Sequence, residues 1–152
     1  DFRRELFSPT EANILVMLTA AKYMAGKNLE ALRIGEEILF ALERSHSRLS
    51  DYKVLQINLA HNLSQILQDE GRYQEAILYA KKAENLSICG TEQFLLPEIE
   101  FSIAQILNNM KKRQESRMRM EALIPYMRLI GKKEMADLVQ EYLEKNLTND
   151  VN

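Results

Sequence analysis

Apolar side chains recur along this chain every three or four residues, and no stretch alternates with the period of two that marks a strand. The first periodic stretch holds Ile14, Leu15, Leu18 and Ala21. It follows Ser8-Pro9-Thr10-Glu11, in which Ser8 suits a cap, Pro9 the first helical position and Glu11 the far corner of a capping box. After Gly26 a second stretch begins near Leu29 or Glu30, carries Ala31, Leu32, Ile34, Ile38, Leu39 and Leu42, and fades at Ser45-His46-Ser47. Ser50-Asp51 starts a long third helix bearing Val54, Leu55, Leu59, Leu63, Ile66 and Leu67. Gly71 ends it, and Tyr73 to about Ile88 is the predicted return helix, with Ala76, Ile77, Ala80, Ala83 and Leu86 on one side. Pro97 is placed in the first turn of the next helix, because an interior proline costs about 3 kcal/mol. That helix runs to about Met110, and its partner runs from near Arg113 to a stop at Gly131. Pro125 lies inside this partner and predicts a kink by freeing the carbonyl of Glu121. Lys132 to Asn146 forms a last amphipathic helix with Met135, Leu138, Val139, Tyr142 and Leu143 turned inward. The expectation is seven helices, six of them in antiparallel pairs.

The pairs are related to one another. Leu63-Ser64-Gln65-Ile66-Leu67-Gln68 is echoed forty positions later by Ile103-Ala104-Gln105-Ile106-Leu107-Asn108. Gly26, Gly71 and Lys111 each stand five residues before a small side chain, Ala31, Ala76 and Ser116. Two crossing helices need such small residues for close approach. The second unit fits the tetratricopeptide repeat pattern almost throughout: Leu63, Ser64, Leu67, Gly71, Tyr73, Ala76, Ala80 and Ala83. The third is looser, with Ile103, Ala104, Leu107, Ser116, Met120 and Leu123. The first is looser again, with Leu18, Thr19, Ala31 and Ile38, and Lys22 where an apolar residue belongs. The repeat period is near 34 residues, whereas Gly26, Gly71 and Lys111 are 45 and 40 positions apart, so the helices or their connections are longer than standard. The fold class read from this is all-α: a right-handed superhelix of antiparallel helix pairs, about three pairs plus a C-terminal helix. Its units span about 12–45, 51–90 and 95–131, with a final helix over 132–147. Residues 1–9 read as a linker from a region upstream, and 148–152 as a disordered tail.

Composition narrows the function little. Of 152 residues, 46% are apolar and 28% charged, ordinary values for a chain that buries one sizeable core. A formal charge of −2 excludes a bulk basic field for nucleic acid. The lone cysteine, Cys89, has no intrachain disulfide partner, and no signal-like apolar segment is present. Both favour the reducing cytoplasm. The longest apolar run near the start, Ile14 to Leu18, is far short of a membrane span, so no membrane partner is expected.

The arrangement also resembles a group of Gram-positive bacterial regulators that join an Xre-type helix-turn-helix to a tetratricopeptide-like C-terminal domain, the Rgg/MutR and PlcR-like peptide sensors among them. Gly71-Arg72-Tyr73-Gln74-Glu75-Ala76, Phe94-Leu95-Leu96-Pro97-Glu98 and Gly131-Lys132-Lys133-Glu134-Met135-Ala136-Asp137-Leu138 carry the resemblance, which covers nearly all of residues 10–147. The helix-turn-helix itself is not in this chain, so DNA would be reached only through a domain absent from it.

In stacked helix pairs the first helix of each pair lines the concave surface. Counting from the turns places Asn58, His61, Gln65, Gln68 and Asp69 there in the second unit. The third unit contributes Glu98, Phe101, Gln105, Asn108 and Asn109, and the first Asn13, Val16, Ala20, Tyr23 and Met24. Gln65 and Gln68 over Gln105 and Asn108 form a predicted ladder of carboxamides, each able to donate and accept, as an extended peptide backbone requires. Phe101, Tyr23 and Met24 would supply side-chain pockets. The resemblance implies the same, since its peptide-sensing members use amide side chains in this groove. The bland alternative is that these are solvated polar positions on helices. The cationic clamp of chaperone-tail-binding repeats is absent, with His61 and Gln65 where Lys and Asn would stand.

Other signals point to nothing further. Lys111-Lys112-Arg113 with Arg117 and Arg119 reads as a solvated basic face. His46 and His61 have no companions at metal spacing, so neither a metal nor another cofactor is expected. No phosphate loop, dinucleotide fingerprint or zinc-protease motif occurs, and no convergent catalytic set suggests an enzyme. Two functions remain open. One is the peptide-sensing or dimerisation domain of a helix-turn-helix transcription regulator. The other is a scaffold that binds a protein segment or itself, with Met135, Leu138, Val139 and Tyr142 as a homodimer surface.

Overall fold

The computed structural model describes residues 8–44, 50–90 and 93–147, which are all helix and short turn. The seven helices are α1 (Pro9–Met24), α2 (Asn28–Arg44), α3 (Ser50–Asp69), α4 (Tyr73–Cys89), α5 (Leu96–Asn109), α6 (Arg113–Leu129) and α7 (Lys133–Leu147). No strand occurs among the described residues. The expected linker over 1–7, the fading of the second helix at Ser45-His46-Ser47 and the tail over 148–152 lie outside them. Two units divide the chain, one through Gln93 and one from Phe94. The boundary falls between the second and third predicted pairs.

The predicted stops are left-handed turns of one construction. Gly26, Gly71 and Gly131 have φ of 73°, 71° and 86°, and Lys111, the residue aligned with the first two, has φ of 66°. Each turn closes with the same two bonds. Lys27 N–H donates to the Lys22 carbonyl and Gly26 N–H to that of Tyr23. Arg72 and Gly71 repeat this with Leu67 and Gln68, Lys112 and Lys111 with Leu107 and Asn108, Lys132 and Gly131 with Met127 and Arg128. This is the Schellman pattern, which satisfies carbonyls left over at a helix end. Five residues past each turn stand Ala31, Ala76, Ser116 and Ala136, all fully buried. The sequence reading aligned three of these turns; the fourth, at Gly131, joins α6 to α7 in the same way.

The small residues seat helix against helix. Seven residues before the first three turns are Thr19, Ser64 and Ala104, also fully buried. Ser116 Oγ donates to the Ala104 carbonyl at 2.6 Å, so α5 and α6 approach there almost backbone to backbone. Thr19 and Ser64 turn their hydroxyls back on the carbonyls of Leu15 and His61, which satisfies them without a partner helix.

In the first unit α1 packs on α2 and α3, and α3 on α4. Tyr23, at the end of α1, donates to Asp69 at the end of α3. At the other end, Pro9, Thr10 and Asn13 face Val54 and Leu55 across one cavity. The two first helices therefore run parallel. Glu36 with Tyr79, and Glu43 with Lys82, tie α2 to α4 in the same sense. Gly35 sits at the tightest point, where an added Cβ would lie 2.7 Å from Leu63 Cδ2 and 3.1 Å from Thr19 Cγ2.

The second unit places α7 beside α5 as another first helix. Lys132 bonds Glu98 and Asn108 bonds Tyr142, each pair 34 positions apart. That is the standard spacing of the tetratricopeptide repeat, which the turn-to-turn counts did not show. The core here is Met120, Leu123, Ile124, Met127, Ala136, Val139, Leu143 and Leu147, with Phe101, Met135 and Tyr142 packed on its edge. α6 continues as helix through Pro125. Pro125 and Glu121 are both exposed, so the carbonyl that lacks a donor lies on the solvent side of the helix. Within each unit neighbouring helices thus pack as helical-hairpin repeats would.

The turns supply a test with opposite signs at equivalent positions. Nothing lies within 4 Å of a Cβ at Gly71, so Gly71→Ala suffers conformational strain alone. It should cost about 1 kcal/mol, and Lys111→Gly should gain up to about 1 kcal/mol. Urea unfolding of both variants measures this; equal signs would refute the turn equivalence.

Candidate functional site

The expected ligand-facing residues do not share one environment. On α3, Asn58, Gln65 and Gln68 are half-buried, with part of each side chain open to solvent. His61 is different. At 7% exposure it is buried, and its carbonyl accepts from Ser64. Val16, expected on the same surface of α1, is likewise buried at 7%.

Tyr23 reaches the surface but is already engaged. Its hydroxyl donates to Asp69. Burial first, then the Asp69 carboxylate, pushes the phenol up to about 12. Beside it Asn28 Nδ2 donates to Glu70 at 2.6 Å, and Lys22 Nζ donates to Glu30 at 2.7 Å. The Tyr23–Asp69 bond ties the closing ends of α1 and α3, Asn28–Glu70 ties the start of α2 to the residue after α3, and Lys22–Glu30 ties α1 to α2. Lys22 looked out of place in the repeat pattern; its stem is half-buried and its head answers Glu30, whose carboxyl is held below its usual range chiefly by that bond.

The opening ends of the same helices leave room. Pro9, Thr10, Asn13, Val54 and Leu55 line a cavity of about 340 Å³. Three of its walls are apolar and one carries an amide, the composition expected where a side chain enters and a backbone is held. Asn13 belongs to the predicted concave set; Pro9 and Thr10 were read as part of the helix start, and Val54 and Leu55 as apolar positions of α3. A second concavity of about 480 Å³ lies along α2, walled by Glu36, Glu37, Phe40 and Arg44. The Arg44 guanidinium stands 5.4 Å over the Phe40 ring.

In the second unit the amides are divided in role. Gln105 and Asn109 are half-buried. Asn108 donates to the Tyr142 hydroxyl at 3.1 Å. Phe101 meets Tyr142 edge to face, with ring centroids 5.6 Å apart. Glu98 is paired with Lys132, which also donates to the Phe94 carbonyl. Phe101 and Asn108 are therefore partly spent on holding α7. The two halves of the expected carboxamide ladder belong to different units, Gln65 and Gln68 to the first, Gln105 and Asn108 to the second.

The expected dimer surface changes for the same reason. Val139 is fully buried and Met135 and Tyr142 pack on the unit's core, as their inward reading required. Of the four only Leu138 is open, at 58% exposure. Leu129 and Ile130 at the close of α6 are exposed as well.

Among the described residues no group of three His, Cys, Asp or Glu side chains is placed to hold a metal ion. No described helix is long and apolar enough to cross a membrane. Comparison with protein-family models, curated proteins and solved structures found no match to this chain.

Two of the six tyrosines carry a measurable signature. Tyr79, like Tyr23, is pushed up to about 12, by burial first and then by Glu36. Both phenols stay neutral in the folded chain while an unfolded tyrosine ionises near 10. Their contribution to stability is thus complete below pH 10 and is lost as pH rises towards 12. Ultraviolet titration of phenolate should resolve two late-ionising groups, and Tyr23→Phe should remove one. A single step at the ordinary value would refute the Tyr23–Asp69 bridge.

Proposed function

We propose that this chain is a regulatory protein-interaction module, the peptide-sensing domain of a cytoplasmic helix-turn-helix transcription regulator, built as a right-handed tetratricopeptide-like superhelix. The observation that carries the reading is the pair of parallel first helices, α1 and α3. They are joined at one end by Tyr23 and Asp69 and flank an open depression lined by Pro9, Thr10, Asn13, Val54 and Leu55 at the other. The open edges of Asn58, Gln65 and Gln68 on α3 supply donors and acceptors for an extended backbone. The resemblance of the Gly71–Ala76, Phe94–Glu98 and Gly131–Leu138 segments to peptide-sensing regulators supports it as well.

The mechanism is a population shift. A peptide that binds one spacing of the first helices better than another biases the stack towards it and so reorients an attached DNA-binding domain. The effect is limited to the peptide's differential affinity for the two spacings. A passive scaffold binding a protein segment remains the alternative, with no DNA-linked role.

Isothermal titration with short linear peptides tests the groove. Gln65→Ala and Gln68→Ala should each weaken binding roughly three- to tenfold, the loss of one or two hydrogen bonds. Affinity unchanged by both substitutions would sink the assignment.

A further inference from the structure

The strip between α1 and α3 is electrically uneven along its length. Val54, Asn58, Gln65 and Asp69 stand at i, i+4, i+11 and i+15 on α3, which puts them on one side of that helix. The strip begins at the depression lined by Pro9, Thr10, Asn13, Val54 and Leu55, all uncharged. It passes the half-buried amides of Asn58 and Gln65 and ends at Asp69, with Glu70 beside it, both exposed.

That last end is acidic. Asp69 accepts from the Tyr23 hydroxyl, and Glu70 from the Asn28 amide at 2.6 Å. Both donors are neutral and leave each carboxylate its charge. The cations nearest in the chain are engaged with other acids. Lys22 and Lys27 both meet Glu30, at 2.7 and 3.9 Å, and Arg72 meets Glu75 at 2.6 Å. Glu30, Asp69, Glu70 and Glu75 therefore stand against three cations. The parallel helices α1 and α3 also end together here, and each helix C-terminus adds about half a negative charge. The Tyr23 phenol between them is pushed up to about 12 by burial first and then by the Asp69 carboxylate.

The length of α3 sets a register. Val54 and Asp69 are fifteen positions apart on it, a rise of about 22 Å. An extended backbone advances about 3.3 Å per residue, so the same span takes about six or seven peptide residues.

We infer that the groove selects a short cationic peptide. Its ammonium or guanidinium group sits against Asp69 and Glu70, and an apolar side chain six or seven residues away fills the depression at Val54 and Leu55. The inference rests on the reading of this groove as a peptide site and adds the chemistry of what it takes. Asn58 and Gln65 hold the backbone between the two anchors. A peptide acidic at the same place is rejected, because it brings a like charge to two carboxylates.

The probes are two random octapeptide libraries on beads, one with free and one with acetylated N-termini, selected on the full chain. The free library should enrich an apolar residue six or seven positions after its N-terminus, or both libraries should enrich Lys or Arg at that distance from an apolar residue. The first outcome sets the α-ammonium against Asp69 and runs the peptide antiparallel to α3; the second sets a side chain there. Asp69→Asn combined with Glu70→Gln should weaken the selected peptides at least fivefold by isothermal titration, and less in high salt. Both replacements keep an oxygen for Tyr23 and Asn28, so the bridges stand and only the charge is removed. Acetylated peptides without Lys or Arg that bind as well as the rest, and depend on Gln65, overturn the inference and leave the groove standing. So does binding indifferent to the double substitution. Failure of both libraries to enrich any sequence removes the groove and the inference with it.

Discussion

Close contact between small side chains just after a left-handed turn is the constraint on which this structure rests. Each hairpin ends one helix with two reverse bonds into its last carbonyls and, five residues on, places Ala31, Ala76, Ser116 or Ala136 where a larger side chain would hold the helices apart. Backbone and side chain act together here. The turn fixes the direction of return, and the small residue fixes the distance. The Ser116–Ala104 bond shows how near the two backbones come.

From that constraint follows the difference between the two sides of a first helix. One side is consumed by its own return helix and by the preceding pair, which is why Leu59, Leu63 and Ile66 are fully buried on α3. The remaining strip is narrow. It holds Asn58, Gln65 and Gln68, each half-buried, whereas His61 is buried. Hydrogen bonds then divide the strip further. Tyr23 and Asn108 carry groups suited to a ligand, yet each is bonded to a residue of a parallel helix, Asp69 in one case and Tyr142 in the other. These bonds set the spacing of the first helices, the very quantity a bound peptide would have to change. A tyrosine pushed up to about 12 beside a carboxylate is a neutral donor across the physiological range, so the Tyr23–Asp69 bridge is not a proton switch.

The sequence by itself determined the elements, their stops and their pairing. Helical period, a capping box at Ser8, Pro97 in a first turn, glycines at three turns and small residues five places on are local signals, and local geometry obeys them. Lys111 stands in register with Gly26 and Gly71, but its left-handed backbone was shown only by the structure. Tertiary structure decided what local signals cannot encode: which of two apolar-flanked faces is covered, and by what. It buried His61 and Val139 and left Leu138 open, engaged Tyr23 with a residue 46 positions away, and opened a depression between Pro9 at the start of α1 and Leu55 of α3. The physical reason is that helix period marks a side as apolar or polar, whereas burial depends on how near the neighbouring helix comes. That distance is set by pairs of small residues far apart in the chain, and it exists only once the helices have met.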